Sequence, residues 1–169
     1  YGWLLGDFGT RLSIYGSHLN YQLGGNFSSL NLEGEGRIIG GLFTQNLIRS
    51  ASENLNATVT LENRLNQSSH SASLDRLRDI NTLALGLNGD QNDSWLTTAN
   101  NIAGLQLTLG RLNIDLVSDK STDAQSTRAQ GDFVKFNFNL ARTEYLNDDW
   151  QVSMAFNGQW AAKNLDSSQ

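Results

Sequence analysis

The residues of this chain that could carry out catalysis or hold a metal ion are few and scattered. His18 and His70 are the only two histidines, and neither has a second ligand at metal-binding spacing. Asp119 and Asp123 do not follow the pattern of a calcium-binding loop. A serine–histidine site is assembled in space, so spacing alone does not exclude one, but nothing points to it. We therefore expect no enzyme, no metal, no cofactor and no small-molecule substrate.

Charges that recur at every second residue suggest a different role. Glu33, Glu35 and Arg37 alternate with small or apolar residues, and Glu62 and Arg64 alternate with Leu61, Asn63 and Leu65. Successive strand residues point to opposite faces, so the charges of each set are expected on one face of the sheet. Burying them against a dry core would be costly. We expect a water-filled pore to be lined by Glu33, Glu35, Arg37, Glu62, Arg64, Lys135, Asn137, Gln151 and Gln159. The alternative for each residue is the solvated face of a soluble sheet.

Strands must position these residues, and the clearest strand pattern lies in residues 131–162. Val134, Phe136 and Phe138 alternate with Lys135 and Asn137, a polar turn follows at 147–149, and the alternation then restarts. This pattern predicts an antiparallel hairpin with one apolar and one polar face. The residues expected to face lipid are Leu55, Val59, Leu61, Phe136, Phe138, Leu140, Met154 and Phe156.

The same alternation predicts seven strands in total and an all-β fold, because helical periodicity fits the chain poorly. The other strands are expected near residues 11–22, 30–42, 55–65, 83–87 and 95–109. A change of phase in the first of these predicts a bulge near Gly16. Residues 1–10 resemble the end of an element followed by a Gly-Asp turn, and residues 23–26 form a turn. Short turns are expected at 45–52, 89–94 and 147–149, and longer polar loops at 66–77 and 110–131.

Composition excludes some classes of protein. Hydrophobic residues make up 38% of the 169 residues and charged residues 17%, and neutral polar residues that suit a hydrated wall fill the difference. A net charge of -5 argues against nucleic-acid binding, which needs a basic surface. No apolar run is long enough for a membrane-spanning helix, but barrel strands give only short alternating signals. A transmembrane β-barrel and a soluble β-sandwich both remain open from the pattern alone.

Four segments resemble a known family. They are Tyr21-x-Leu23-Gly24-x-x-Phe27-x-x-Leu30-x-x-x-Gly34; Leu47-Ile48-Arg49-Ser50 followed by Glu53-Asn54-Leu55; Gly131-Asp132-Phe133-x-Lys135; and Gly158-Gln159-Trp160-Ala161-x-Lys163-Asn164-Leu165-Asp166-Ser167-Ser168. In order and spacing they resemble the haemolysin secretion/activation proteins of the Omp85 superfamily, the outer-membrane pores of two-partner secretion. Asn46 and Ala51 depart from the family, which usually has proline and arginine there.

The resemblance implies that residues 1–169 are the middle part of a sixteen-stranded outer-membrane barrel. Preceding POTRA domains, the last strands and the family's inward-folded loop would lie outside the chain. The implied partners are outer-membrane lipid and one secreted protein, a haemolysin or adhesin, exported unfolded. Another barrel, such as a porin, and a soluble binding domain are the alternatives.

Two structural expectations follow from the barrel interpretation. Trp95, Trp150 and Trp160 lie near strand ends, as in an aromatic girdle, with core packing as the alternative. About seven strands are too few to close around their own side chains, so we expect an open, curved sheet.

Overall fold

The computed structural model describes residues 1–6, 9–25, 31–70 and 73–169, without the side chains of residue 70 and residues 73–75. Asp7 of the expected Gly-Asp turn, together with Asn26, Phe27 and Leu30, lies outside the described residues, as does the side chain of His70. The described chain forms one antiparallel sheet of eight strands in sequential order. The strands are β1 Gly2–Leu5, β2 Thr10–Gln22, β3 Leu32–Arg49, β4 Glu53–His70, β5 Ser73–Asp93, β6 Thr98–Ile114, β7 Gly131–Tyr145 and β8 Gln151–Ala161, with one helix, α1 Val117–Gln125.

The all-β prediction and the open sheet are confirmed. Each strand pairs with its neighbour in sequence, and β8 pairs with β7 alone among the described strands. No second described sheet packs against this one, which is the arrangement that a β-sandwich would require. The strand beyond the expected seven is β1, whose four residues pair with Thr10–Ser13 of β2. The sequence indicated the end of an element within residues 1–10, but four residues are too few to show the alternation that identifies a strand.

The strands are longer than the alternation of apolar residues predicted. The expected polar loop at 66–77 is wrong, because β4 continues to His70 and β5 begins at Ser73. The expected turns at 45–52 and 89–94 are shorter and later, since β3 runs to Arg49 and β5 runs to Asp93. Alternation identifies a strand only when one of its faces is apolar. A strand with polar residues on both faces has the composition of a loop and is therefore predicted as one.

The expected bulge near Gly16 is also wrong. The pairing of β2 with β3 is continuous through Gly16, which lies opposite Ile39. The bulges lie elsewhere, between Asn46 and Ile48 and between Ser68 and Ser69.

Tyrosine side chains explain the change of phase that suggested a bulge. Tyr15 and Tyr21 lie across Gly40 and Gly34 of β3, on the face opposite Leu12. A Cβ atom added at Gly40 would lie 2.5 Å from the Tyr15 ring, and one at Gly34 would lie 2.3 Å from the Tyr21 ring. The two glycines therefore provide the space in which large aromatic residues cover the sheet.

The connection between β6 and β7 contains the element that the sequence concealed. Helix α1 is short and polar, so neither its length nor its periodicity stood out. Beside it lies the one buried apolar cluster of the described chain, formed by Ile80, Leu112, Ile114, Ala129 and Phe133, with Leu165 packed against it. The helix connection and the last residues of the chain thus cover one end of the sheet.

Both outer edges of the sheet are open along much of their length. The β1 pairing of β2 ends at Ser13, and β8 has no described partner on its outer side. The described part of the chain contains no helix whose length and hydrophobicity would let it span a bilayer.

We expect the isolated 169-residue chain to aggregate or to require detergent. Unpaired strand edges beside an exposed apolar face are a recognised route to edge-to-edge association. Size-exclusion chromatography and sedimentation in plain buffer measure this directly. A monodisperse soluble monomer would contradict the expectation.

Candidate functional site

One face of the sheet carries a continuous apolar surface. Strand pairing aligns Val59 with Leu85, Leu85 with Leu107, and Leu107 with Phe136, so these side chains form one row across four strands. We call this the apolar face. The eight residues predicted to face lipid all lie on it, and that shared face is confirmed: Leu55, Val59, Leu61, Phe136, Phe138, Leu140, Met154 and Phe156.

Charged residues bound this apolar surface at both ends. At the end with the turns 50–52, 94–97 and 146–150, the turn end, Arg142 Nη1 lies 2.7 Å from Asp93 Oδ2. At the other end, the helix end, Arg111 Nε lies 2.6 Å from Asp132 Oδ1. Asp132 and Arg142 are ten residues apart on β7. At about 3.3 Å per residue and a tilt near 40°, this corresponds to roughly 25 Å along the barrel axis, the height of the apolar band of an outer-membrane barrel.

The opposite face is polar and largely uncharged at its centre. Thr58, Gly86, Gln106, Asn137 and Gln159 form one register row across five strands. The amide of Asn137 donates to Gln159 Oε1 at 3.2 Å. Their surroundings line an open hollow of about 500 Å³. This polar face can offer hydrogen-bond donors and acceptors to water or to a passing chain.

Glycine allows the amide side chains to lie flat on the polar face. A Cβ atom at Gly86 would lie 2.4 Å from Thr58 Oγ1, and one at Gly104 would lie 2.2 Å from Asn139 Oδ1. A larger residue at either position would therefore displace its neighbour and fill the hollow.

The structure divides the predicted pore-lining residues between the two faces. Those on the polar face are Glu62, Arg64, Lys135, Asn137, Gln151 and Gln159. Glu33, Glu35 and Arg37 are not with them, because Gly41 lies opposite Leu61 and so puts the odd-numbered residues of β3 on the apolar face. The expectation that all these charges share one face is wrong.

The error arose from β3 itself, whose glycines were counted with its apolar residues. Glu35 instead lies towards the helix end, beyond the apolar surface, where its Oε1 is 3.5 Å from His18 Nδ1. Outside an apolar band, a charged residue on that face costs little.

The charged residues of the polar face form a network that reaches the end of the chain. Glu62 accepts hydrogen bonds from the Tyr15 hydroxyl at 2.9 Å and from Arg64 Nη2 at 2.9 Å. Arg64 Nη1 also donates to the Ser168 carbonyl oxygen at 3.3 Å, and Lys135 Nζ donates to that of Gln169 at 2.6 Å. Residues 162–169, which we call the tail, therefore lie over the polar face.

Arg78 makes a second set of contacts at the helix end. Its Nε and Nη2 donate to the two carboxylate oxygens of Asp119 in α1, at 3.2 Å and 3.0 Å. Its Nη1 donates to Asp166 in the tail. Arg78 is 9% exposed and lies beside the buried apolar cluster. Sequence analysis missed the cluster of Arg78, Asp119 and Asp166, because long stretches of chain separate these three residues.

Asp123 closes the connection that follows α1. Its carboxylate accepts from the backbone N–H of Ala129 at 2.9 Å and of Gln130 at 3.1 Å, and from the Thr127 hydroxyl at 2.8 Å. Burial alone would raise the pKa of Asp123, but these hydrogen bonds hold the pKa below its usual value. No group of three metal-ligating side chains occurs in the part of the chain that the structure describes.

The three tryptophans predicted to form a girdle, out of four in the chain, lie near the ends of strands. Trp95 and Trp150 are 87% and 70% exposed in turns at the turn end, and Trp160, which lies one residue before the end of β8 and opposite Phe136, is 61% exposed. These exposures exclude the core-packing alternative and are compatible with an aromatic girdle.

Comparison with known proteins identifies relatives of one kind. The chain is 26% identical, over its whole length, to the heme/hemopexin transporter protein HuxB of Haemophilus influenzae strain 86-028NP, and equally to that of strain Rd. The chain spans about 30% of the length of these curated relatives. No family model matches the chain. No solved structure matches it either.

A charge placed on the apolar face should separate the two faces energetically. In the complete protein folded into lipid, Leu107→Arg should lower the free energy of unfolding by about 2–4 kcal/mol. Gln106→Arg is a matched control on the same strand but on the polar face, and it should change that free energy by about 0–1 kcal/mol. Denaturant titration of the lipid-folded protein measures both. Equal costs would mean that both faces meet the same surroundings and would contradict the barrel interpretation.

The closure made by Asp123 should weaken in acid. Because the pKa of Asp123 is lowered in the folded protein, its stabilisation is present above the usual value of 3.8 and is lost as the pH falls through the lower folded value. Asp166 follows the same sign, with burial opposed by hydrogen bonds from Ser168 and Arg78 that lower its pKa. Hydrogen exchange of the Ala129 amide, corrected for intrinsic rates, should show less protection near pH 3 than at pH 7.

The matched variant for that measurement is Asp149→Asn, in an exposed turn at the turn end. Asp123→Asn should reduce protection of the Ala129 amide already at pH 7, and Asp149→Asn should leave it unchanged. Protection that is independent of both pH and Asp123 would show that the hydrogen bonds of this carboxylate do not hold the connection.

Proposed function

We propose that the chain is part of an outer-membrane β-barrel pore that exports a partner protein by two-partner secretion. The observation that carries the proposal is the apolar surface on one face, bounded by charges about one membrane thickness apart, with a polar face behind it. Such a sheet suits lipid on one side and water on the other. In the full barrel the apolar face would contact outer-membrane lipid and the polar face would line the pore.

The sheet topology supports this assignment. Sequential antiparallel pairing is the arrangement of outer-membrane barrels, and the open edges are where further strands of a barrel would pair. The exposed Trp95 and Trp150 at the turn end are in keeping with an aromatic girdle of such barrels. A water-filled lumen needs no catalytic group, and the proposal assigns no catalytic step to the chain.

The whole-length similarity to a transporter protein supports transport as the function. The four motif segments resemble two-partner secretion pores in particular, so we infer a secreted protein as the substrate, passing in unfolded form. The uncharged, amide-rich centre of the polar face fits that substrate, because amides bond to any peptide backbone without selecting a charge. A haemolysin, an adhesin or a protein of heme and hemopexin handling would all meet this description.

The name of the relatives supplies a second candidate. If the full protein handled heme or hemopexin directly, the pore would admit that ligand and would export no partner protein. A diffusion porin, another alternative, would pass small solutes without selectivity for either.

Secretion in a reconstituted strain separates these functions. The full-length gene is expressed with and without the gene for a candidate secreted partner, and the culture medium is assayed for that partner. Export that depends on the pore supports the proposal. Heme uptake without export would favour the second candidate, and passage of small solutes alone would favour a porin.

Thiol labelling tests the assignment of the faces in the full-length protein in membranes. We expect a cysteine at Glu62 to react with a water-soluble thiol reagent and one at Leu61 not to react. These neighbours lie on β4 with opposite orientations, so they form a matched pair. The reverse pattern would put the apolar face inside the pore.

A further inference from the structure

Two segments cover the polar face at the helix end of the sheet. One is residues 115–130, the α1 connection, and the other is the tail. Each contributes one buried carboxylate, Asp119 and Asp166, and both carboxylates meet the side chain of Arg78. The three side chains are 10%, 6% and 8% exposed, so the cluster is almost completely shielded from water.

The chemistry of arginine makes this double contact work. The guanidinium is a rigid planar group with five N–H donors. Here Nε and Nη2 donate to the carboxylate of Asp119, and Nη1 donates to that of Asp166. A lysine ammonium would keep the charge but not the planar group. Buried ion pairs are weak evidence for stabilisation, since desolvation offsets much of their attraction. The arrangement is better explained by what it joins.

Arg78 joins segments that are otherwise attached to the sheet separately. Arg64 and Lys135 bond to carbonyls of the tail alone, and the backbone N–H of Asp115 bonds to Leu77 at the start of the α1 connection. Within the described residues, Arg78 is the one sheet side chain that bonds to both segments.

The two segments also bond directly to each other. Lys163 Nζ donates to the Gln130 carbonyl oxygen at 2.6 Å, and the Asn164 amide donates to that of Thr127 at 3.2 Å. These bonds involve no residue of the sheet. They would therefore survive if the contacts of Arg78 were broken.

We propose that Arg78 clamps the α1 connection and the tail, already bonded to each other, to the sheet as one cap over the polar face, and that the cap opens as a unit when the clamp releases. This inference rests on the proposed function, because opening would then widen the helix end of the pore for a passing protein. Arg78 is a positioning residue in this scheme. It controls the passage through the cap and does not touch the substrate.

Protease access in the full-length folded protein tests the coupling. Trypsin cleaves after Lys120 in α1 and after Lys163 in the tail, so one digest reports on both segments. Asp166→Asn leaves the Asp119 pair intact, yet a coupled cap should expose Lys120 as well as Lys163. We expect both cleavage rates to rise together by about tenfold or more, since breaking a buried ion pair is costly.

The matched control is Asp93→Asn, which breaks the Asp93–Arg142 pair at the turn end, the opposite end of the sheet, and should change neither rate. Arg78→Lys should behave like Asp166→Asn, because charge without the planar group cannot hold both carboxylates. Heat-modifiable migration on gels confirms that each variant is folded. If an Arg78 variant fails to fold, Asp119→Asn and Asp166→Asn decide the outcome.

Conductance in a planar bilayer links the cap to the pore. We expect Asp119→Asn and Asp166→Asn to raise the mean conductance of the full-length protein several-fold, and Asp93→Asn to leave it unchanged. A rise at Lys163 without a rise at Lys120 in Asp166→Asn would overturn the coupling, as would rates equal to the control. A wild-type protein that neither conducts nor secretes would refute the proposed function instead, and trypsin access would still decide the clamp.

Discussion

Backbone hydrogen bonding between neighbouring strands is the constraint on which the rest of this structure depends. Once the register of one pair is fixed, the side-chain period of two assigns every residue of both strands to a face. Seven pairings carry that assignment from β1 to β8. The apolar surface, the amide-lined polar face and the position of Arg78 are all consequences of this single register.

Prediction from sequence was correct where the two faces of a strand differ clearly in residue type. On β7 and β8 bulky apolar residues alternate with amides, so the hairpin, its turn and its two faces were all identified correctly. Prediction failed where that difference is missing. On β3 the residues that alternate with Glu33, Glu35 and Arg37 include glycines. A glycine carries no side chain that would mark its face, and the two faces of β3 were therefore assigned the wrong way round.

Other features lie beyond the reach of a local pattern. The ends of β4 and β5 are polar on both faces, and nothing local distinguishes such a strand from a loop. The cluster of Arg78, Asp119 and Asp166 joins residues that are 41 and 88 positions apart. Contacts of this kind become visible only when the sheet brings the helix connection and the tail to the same place.

The tyrosines that lie across Gly40 and Gly34 have an evolutionary consequence. Neither glycine can gain a side chain while its tyrosine remains, and neither tyrosine can shrink without uncovering bare backbone. The two positions of each pair should therefore covary among homologues: where the glycine is replaced, the aromatic residue opposite should be replaced by a smaller one. In an alignment of the family, this covariation would reveal the register of β2 against β3, which a single sequence does not show.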